Sequence, residues 1–289
     1  MATTVDRLTE LEDLLACEKL QRTLLGDRAR SILAVPTLAA IRRSGGLLLG
    51  AWETEGDRHP LRGALIDLVA NADRYPARFS VFLGVDPAFA NRGIAQSLRA
   101  AERTICIEEN VDLVFWLSDP LAGDASHVAF NKLGAIATAH TRNALGPLDD
   151  RANRGLASDR LRVEWWVDSP RVVGILDRQL LPPHYDLGLD RMQVITRTSG
   201  GAPGLRRLVG VDEAPKKDFI LIEVPSDLAR LRERDPAGAR EWRLKSREAF
   251  ELLFDGGYTI VGFVHEGGRS FHLFEHADRG AILGRHGNA

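Results

Sequence analysis

ARFSVFLGVDPAFANRGIAQSL, residues 77–98, changes character halfway along. Phe79 to Val85 is β-branched and aromatic, the composition of a buried strand. Asp86-Pro87 ends that strand, and Arg92-Gly93-Ile94-Ala95 opens a segment whose apolar positions Ile94, Leu98, Ala101 and Ile105 keep the helical period. Strand, turn and helix start succeed one another directly. The first N–H groups of a helix have no intrahelical partner, and the helix dipole adds partial positive charge there. With small residues at Gly93 and Ala95, the turn is a predicted seat for a phosphate or pyrophosphate.

Working outward toward the N-terminus, Thr9 to Leu25 is an amphipathic helix ending near Gly26, and a second helix spans Pro36 to Arg43. After the Gly45-Gly46 turn, Leu47–Trp52 and Leu61–Val69 are predicted antiparallel strands joined by the polar loop from Glu53 to Pro60. With the strand from Ala77 they form a three-stranded meander. Downstream, Val111 to Leu117 is a further apolar strand stopped by Ser118-Asp119-Pro120. A short helix carrying Val128, Ala129 and Phe130 then ends at Lys132-Leu133-Gly134, with Gly134 as its C-cap.

Two of these segments resemble motifs of the GNAT acyltransferases. Val85-Asp-Pro87-Ala-Phe89 followed by Gly93-Ile94-Ala95 is similar to motif A, although Ala90 stands at the position usually held by Gln or Arg and Arg92 lies nearby. Phe130-Asn131-Lys132-Leu133-Gly134-Ala135 is similar to motif B, with Phe130 at its tyrosine position. The pair in this order is far more specific than either alone. Trp116 to Leu121, Leu156 to Leu161 and Val163-Glu164-Trp165 further resemble a GNAT branch with a carboxy-terminal extension, some members of which are encoded beside o-succinylbenzoate synthase or N-acylamino acid racemase. Asp168-Ser-Pro170-Arg-Val172 is similar to the start of that extension.

Beyond Val172 the residues around Leu180–His184 and Ser199–Gly204 are rich in turn formers and bracket a predicted strand, Met192 to Arg197. A compact α/β arrangement comes next: strand Phe219–Val224, helix Asp227–Arg234, a break at Asp235-Pro236, and a longer helix with Trp242, Ala249, Phe250 and Leu253 on one face. Gly256-Gly257 ends it. Tyr258–Val264 and Ser270–Phe274 then form a hairpin, and the tail from Arg285 is expected to be disordered.

Thirty-eight basic and 40 acidic residues leave a net charge of -2, so no overall field favours nucleic acid or a membrane surface. A small-molecule partner fits better. Cys17 and Cys106 are the two cysteines, which excludes a disulfide framework or a cysteine-rich zinc site and suits a reducing compartment. No apolar run approaches the roughly 18 residues of a membrane helix. The expected location is the cytoplasm, and no His/Asp/Glu cluster has metal-ligand spacing.

The expected fold class is α/β (α+β): a GNAT fold with a mixed, centrally splayed sheet over residues 1–170, plus a smaller C-terminal α/β unit over 171–289. As the resemblance implies it, acyl-CoA, either acetyl-CoA or succinyl-CoA, lies where two parallel strands splay, and an amine attacks the thioester. The backbone of Leu83, Gly84 and Val85 would hold the thioester carbonyl, and Arg92, Gly93, Ile94, Ala95 and Ser97 the pyrophosphate. Asp119, at the end of a parallel strand, His127, on the motif B helix, and Glu164, a lone acid on an apolar strand, are the candidates for proton transfer. Phe130 has no proton to give to a departing thiolate. Three functions therefore stay open: acyl transfer to a small amine or amino acid, another reaction in the same pocket, and metabolite binding without catalysis. The sheet edge of such folds also leaves a homodimer open.

Overall fold

The computed structural model describes residues 3–27, 29–53, 60–72, 74–151, 153–178, 192–200, 205–212 and 215–284. The turn-rich residues 180–184 and 201–204, the interior of the 53–60 loop and the tail from 285 lie outside them. Two compact units emerge, Met1–Trp116 with Leu148–Arg154, and Leu117–Pro147 with Gly155–Ala289. Compactness thus groups residues 117–147 and 155–170 with the C-terminal part of the chain, whereas the expected boundary at 170 tracks the motifs.

In the first unit, β1 (Thr3–Arg7), α1 (Leu11–Leu25), α2 (Val35–Arg43), β2 (Leu47–Glu53), β3 (Leu61–Ala72), β4 (Tyr75–Val85), α3 (Ile94–Glu108) and the start of β5 (Leu113–Ser118) come in chain order. α1 begins where Asp13 accepts from the Glu10 N–H at 2.9 Å, and it stops at Gly26, whose φ of 99° suits glycine. Strand order is β1-β2-β3-β4-β5. The alternation of β2 and β3 divides their side chains between two layers. Leu48, Ala64 and Ile66 pack with Leu14, Leu20, Leu38 and Ile41 of α1 and α2, while Leu47, Leu49, Ala51 and Leu65 pack with Ile94 and Leu98 of α3. β1 has no apolar signature in the sequence, being a mostly exposed edge strand that pairs antiparallel with β2 from Thr3↔Glu53 to Arg7↔Leu49.

β4 carries the feature that shapes this unit. Its antiparallel register on β3 shifts between Phe82 and Ser80, a bulge that leaves Val81 without an opposite residue. Among the described residues its parallel pairing with β5 runs only from Ala77↔Leu113 to Phe79↔Phe115, while β4 itself continues on β3 to Val85. The two parallel strands part there.

The second unit holds α4 (Gly123–Ser126), which passes into a π-helical turn over His127–Lys132, then β6 (Ile136–Thr141), β7 (Arg160–Trp166) and α5 (Pro170–Leu176). It continues with β8 (Met192–Val194), β9 (Thr196–Ser199), β10 (Arg207–Val211), β11 (Phe219–Val224), α6 (Leu228–Arg234), α7 (Pro236–Asp255), β12 (Tyr258–Glu266), β13 (Arg269–His276) and α8 (Arg279–Leu283). Strand order is β7-β6-β12-β13-β11-β8, with β8 parallel to β11, and β9 and β10 pair separately. The single strand expected over Met192–Arg197 is broken at Ile195. That residue is buried, its N–H donates to the Leu221 carbonyl at 3.2 Å, and the chain leaves the larger sheet there. α7 buries Trp242, Ala249, Phe250 and Leu253 as its period predicts, and also Arg243 and Ser246. Gly134, at φ 74°, ends the motif B segment as expected.

Candidate functional site

Asp86 fixes the direction of every amide at the end of β4. Its N–H donates to the Arg62 carbonyl of β3 at 2.7 Å, and amides alternate in direction along a strand. Gly84 therefore also faces β3. Leu83 and Val85 turn their N–H and C=O groups to the opposite side, beyond the last β4–β5 pair. Two main-chain donors thus face the opening that the splay creates.

Past this point the chain makes one 3-10 turn, Pro87–Phe89, held by the Asp86 carboxylate accepting from the Ala88 N–H at 3.0 Å. Arg62 braces it, pairing with Asp86 at 3.2 Å and lying 4.0 Å over the Phe89 ring. Arg92 stacks on the same ring at 4.7 Å. Asn91 and Gly93 both have positive φ, 61° and 79°, and Gly93 is the N-cap of α3. A Cβ on Gly93 would meet nothing nearer than Gln96 at 3.7 Å, so backbone conformation, not lack of room, selects glycine there. The space in front of α3 is open. Ile94 is buried in the layer under α3, whereas Ala95 is only partly covered. Ser97 returns its hydroxyl to the Gly93 carbonyl at 3.3 Å.

A charged network lies under α3 that period-based reading passes over. Arg99 donates to Glu102 at 2.7 Å and to Ser80 Oγ at 3.2 Å, and its guanidinium lies 4.5 Å from the Trp116 ring centre. Asp67 on β3 is fully buried, and neither carboxylate oxygen has a hydrogen-bond partner. Burial, reinforced by the charge of Glu102, pushes its carboxyl well above the ordinary range. Cys106, below the network, is buried and its thiol is pushed up to about 12 by desolvation, so it behaves as a small apolar residue.

The three proton-transfer candidates belong to the second unit, where each has its own partners. Asp119 spends one oxygen on its own turn, accepting from the Leu121 N–H at 2.8 Å, and the other on Arg243 at 2.5 Å. Glu164 is buried and accepts from Thr138 at 3.0 Å, Arg162 at 3.0 Å and the Trp166 indole at 3.1 Å. That is why an acid can stand on this apolar strand. His127 lies 3.1 Å from the Asn131 amide nitrogen, which donates to Nδ1 and so leaves the proton of the neutral ring on Nε2. Burial lowers its pKa, with Lys132 adding to the effect. Phe130, at the motif B tyrosine position, is 1% exposed and meets His272 edge-on at 5.9 Å. His272 Nε2 lies 2.8 Å from the Pro120 carbonyl. A carbonyl only accepts, so Nε2 carries the proton.

Among the described residues, no group of three His, Cys, Asp or Glu side chains is placed to hold a metal ion, and no helix is long and apolar enough to cross a membrane.

No protein-family model matches the chain, and no curated protein matches it. Among solved structures, the chain is similar to the ribosomal-protein-S18-alanine N-acetyltransferase from Escherichia coli, at 15% identity and a TM-score of 0.45, over 57% of this chain and 94% of that one. It is similar to Ard1 from Thermoplasma volcanium at 15% identity and a TM-score of 0.43, over 57% and 97%. A third likeness is to an aminoglycoside acetyltransferase from an uncultured soil metagenomic sample, in complex with sisomicin, at 20% identity and a TM-score of 0.37, over 43% and 82%.

Proposed function

We propose that the chain is a GNAT-type N-acyltransferase, using acetyl-CoA or succinyl-CoA to acylate a small amine or amino acid in the cytoplasm. The observation that carries this is the disposition of β4: its Leu83 and Val85 amides face away from β3 just where β5 parts from it, and an open glycine turn starts a 15-residue helix immediately afterwards. Such amides suit a thioester carbonyl, and the start of α3 suits a pyrophosphate. Arg92 and the Gly93–Ala95 backbone would hold the phosphates, with Ser97 one turn on.

In the reaction the acceptor nitrogen bonds to the acyl carbon as the carbon–sulfur bond breaks. One proton leaves the amine, and the departing sulfur takes one up. Asp119, whose side chain is 16% exposed, is the candidate base acting through water. His127 is fitted to donate a hydrogen bond from Nε2 rather than to take up a proton. Glu164, with every oxygen engaged, is assigned the role of holding β6 to β7. In this proposal the segment from Asp168 marks the branch with a carboxy-terminal extension, and the boundary at 170 is where that extension was joined.

One observation favours a second reading, metabolite binding or another reaction on the same fold. Phe130 fills a core position and supplies no proton. Calorimetric titration with acetyl-CoA, succinyl-CoA and free CoA, followed by an assay of thiol release with amines, separates them. Micromolar binding with turnover supports acyl transfer, binding without turnover favours the second reading, and absence of binding removes the assignment of the Gly93 turn.

A further inference from the structure

We infer that a proton held on Asp67, beside the charged Glu102, is a conformational switch: while it is present Arg99 ties α3 to β4 at the bulge, and when it leaves the tie is lost. The part that concerns CoA rests on the acyltransferase proposal, and the switch itself does not. Every residue involved belongs to the first unit.

Charge balance calls for the proton. Asp67 on β3 and Glu102 on α3 are fully buried, and the nearly buried guanidinium of Arg99 acts on both. Two carboxylates and one guanidinium would leave a negative charge uncompensated away from water, which one proton removes. The other groups around Asp67 do not change this sum. On β4, Arg78 is paired with Glu109, which also takes Arg7, and Arg78 donates to the Gly45 carbonyl. Cys106 of α3 is a neutral thiol, β2 sets Leu47 opposite Asp67, and β5 lays the Trp116 ring against Arg99. Glu102 accepts from Arg99 at both oxygens, whereas neither Asp67 oxygen has a hydrogen-bond partner among the described residues, so Asp67 is the acid that keeps the proton.

Position makes the proton matter. Asp67 stands opposite Ser80 in the β3–β4 register, at the step where that register shifts and Val81 is left over. Arg99 Nη1 donates to Ser80 Oγ at 3.2 Å and to Glu102 at 2.7 and 3.0 Å. One nitrogen thus joins α3 to the last residue before the bulge. Ile94, where α3 begins, lies little more than one turn before Arg99, and the outward amides of Leu83 and Val85 follow the bulge. An ionised Asp67 would compete for the guanidinium and repel Glu102, drawing Arg99 away from Ser80. The start of α3 and the end of β4 would then lose their fixed relation.

The test is isotope-edited infrared spectroscopy of the full chain labelled in its aspartate carboxyls, with CoA titration and hydrogen exchange followed across pH. A protonated-carboxyl band is expected near neutral pH and is lost in Asp67→Asn. As pH rises, that band is expected to disappear, the CoA affinity relative to Asp67→Asn to fall about tenfold, and the exchange protection of the Gly84 and Asp86 amides to fall with it. Bound CoA is expected to move the loss of the band upward by about one pH unit, the same coupling read from the other side. Ser80→Ala is expected to keep the band and abolish the coupling, with melting temperatures confirming the fold. No band near neutral pH, a band that outlasts the highest pH the fold survives, or a band that titrates while affinity ratio and protection stay constant would overturn the switch. Protection that tracks the band in a chain that binds no CoA would retire the acyltransferase proposal and leave the switch standing. CoA binding and turnover with a constant affinity ratio and constant protection at every pH would do the reverse.

Discussion

Arg243, on α7, donates to the carboxylate of Asp119 at 2.5 Å across 124 positions of sequence, while Asp119 caps its own turn through the Leu121 N–H. The Arg243 side chain is 1% exposed and pairs with Asp119, with the Asp159 carboxylate adding negative charge nearby. Removing one partner of a buried pair strands the other, at a cost of about 3 kcal/mol. Asp119→Ala is therefore expected to lower the melting temperature by roughly 6 °C or more, measured by calorimetry or circular dichroism. Lost turnover at an unchanged melting temperature would instead give Asp119 the role of a base with no structural duty.

Asp67 makes a prediction of opposite sign to the usual acid. Its carboxyl is raised above the ordinary 3.8, so the folded chain holds a proton that the unfolded chain has released. Stability then falls as pH rises through the interval above about 4, and is recovered below it. Asp67→Asn keeps the size of the side chain and removes the titration. It is expected to raise the melting temperature near pH 7 and to give a gain that shrinks as pH approaches 4. A gain independent of pH, or a loss at neutral pH, would contradict the buried neutral acid.

His272 works in the other direction. It is fully buried and edge-on to Phe130, Phe250 and Phe263, and desolvation pulls its pKa from 6.5 down to about 4. Between those values the unfolded chain binds the proton and the folded chain does not, so stability is complete above 6.5 and is lost as pH falls toward 4. The interval corresponds to roughly 3 kcal/mol. His272→Gln is expected to flatten the acid limb of a stability profile taken by urea titration at several pH values; an unchanged limb would place the proton elsewhere.

Gly93→Glu puts a side chain into the open space before α3 and holds it at a φ of 79°. The strain of the left-handed backbone costs about 1 kcal/mol. The larger expected effect is on binding, where a negative charge at the helix start should weaken acetyl-CoA at least a hundredfold in calorimetric titration, since opposing a charge-assisted contact costs ~3 kcal/mol. Unchanged affinity would move the phosphates away from α3.

What the sequence made legible is what short-range chemistry dictates. Phe79–Leu98 announced strand, turn and helix because composition, a proline and a glycine agree within twenty residues, and α7 and the β12–β13 hairpin were legible for the same reason. β1 was not, because an exposed edge strand alternates polar residues and buries almost nothing. The segment of Val128–Phe130 reads as an ordinary helix, yet it folds as a π-helical turn in which Asn131 bonds the Phe263 backbone, a partner no local pattern shows. Arg243, which pairs with Asp119, comes from α7 and Thr138, which bonds Glu164, from β6, both too distant for any period to show, whereas Arg162 and Trp166 flank Glu164 at the strand period of two. Pattern finds the main-chain part of a site; side chains that meet across the fold are found only once the fold is known.

Asn131 joins two stretches of chain that are made at very different times. Its amide donates to the Phe263 carbonyl at 2.6 Å and accepts from the Phe263 N–H at 3.0 Å, and the two residues stand 132 positions apart. β6 likewise meets β12 at Ala137↔Ile260. As the chain leaves the ribosome, the free edge of β6 must wait for most of the remaining protein to be made, while the strands of the first unit from Thr3 to Phe115 already have their partners. Contacts so distant in sequence are expected to form late, so the second unit is expected to complete its sheet only after β12 has been made.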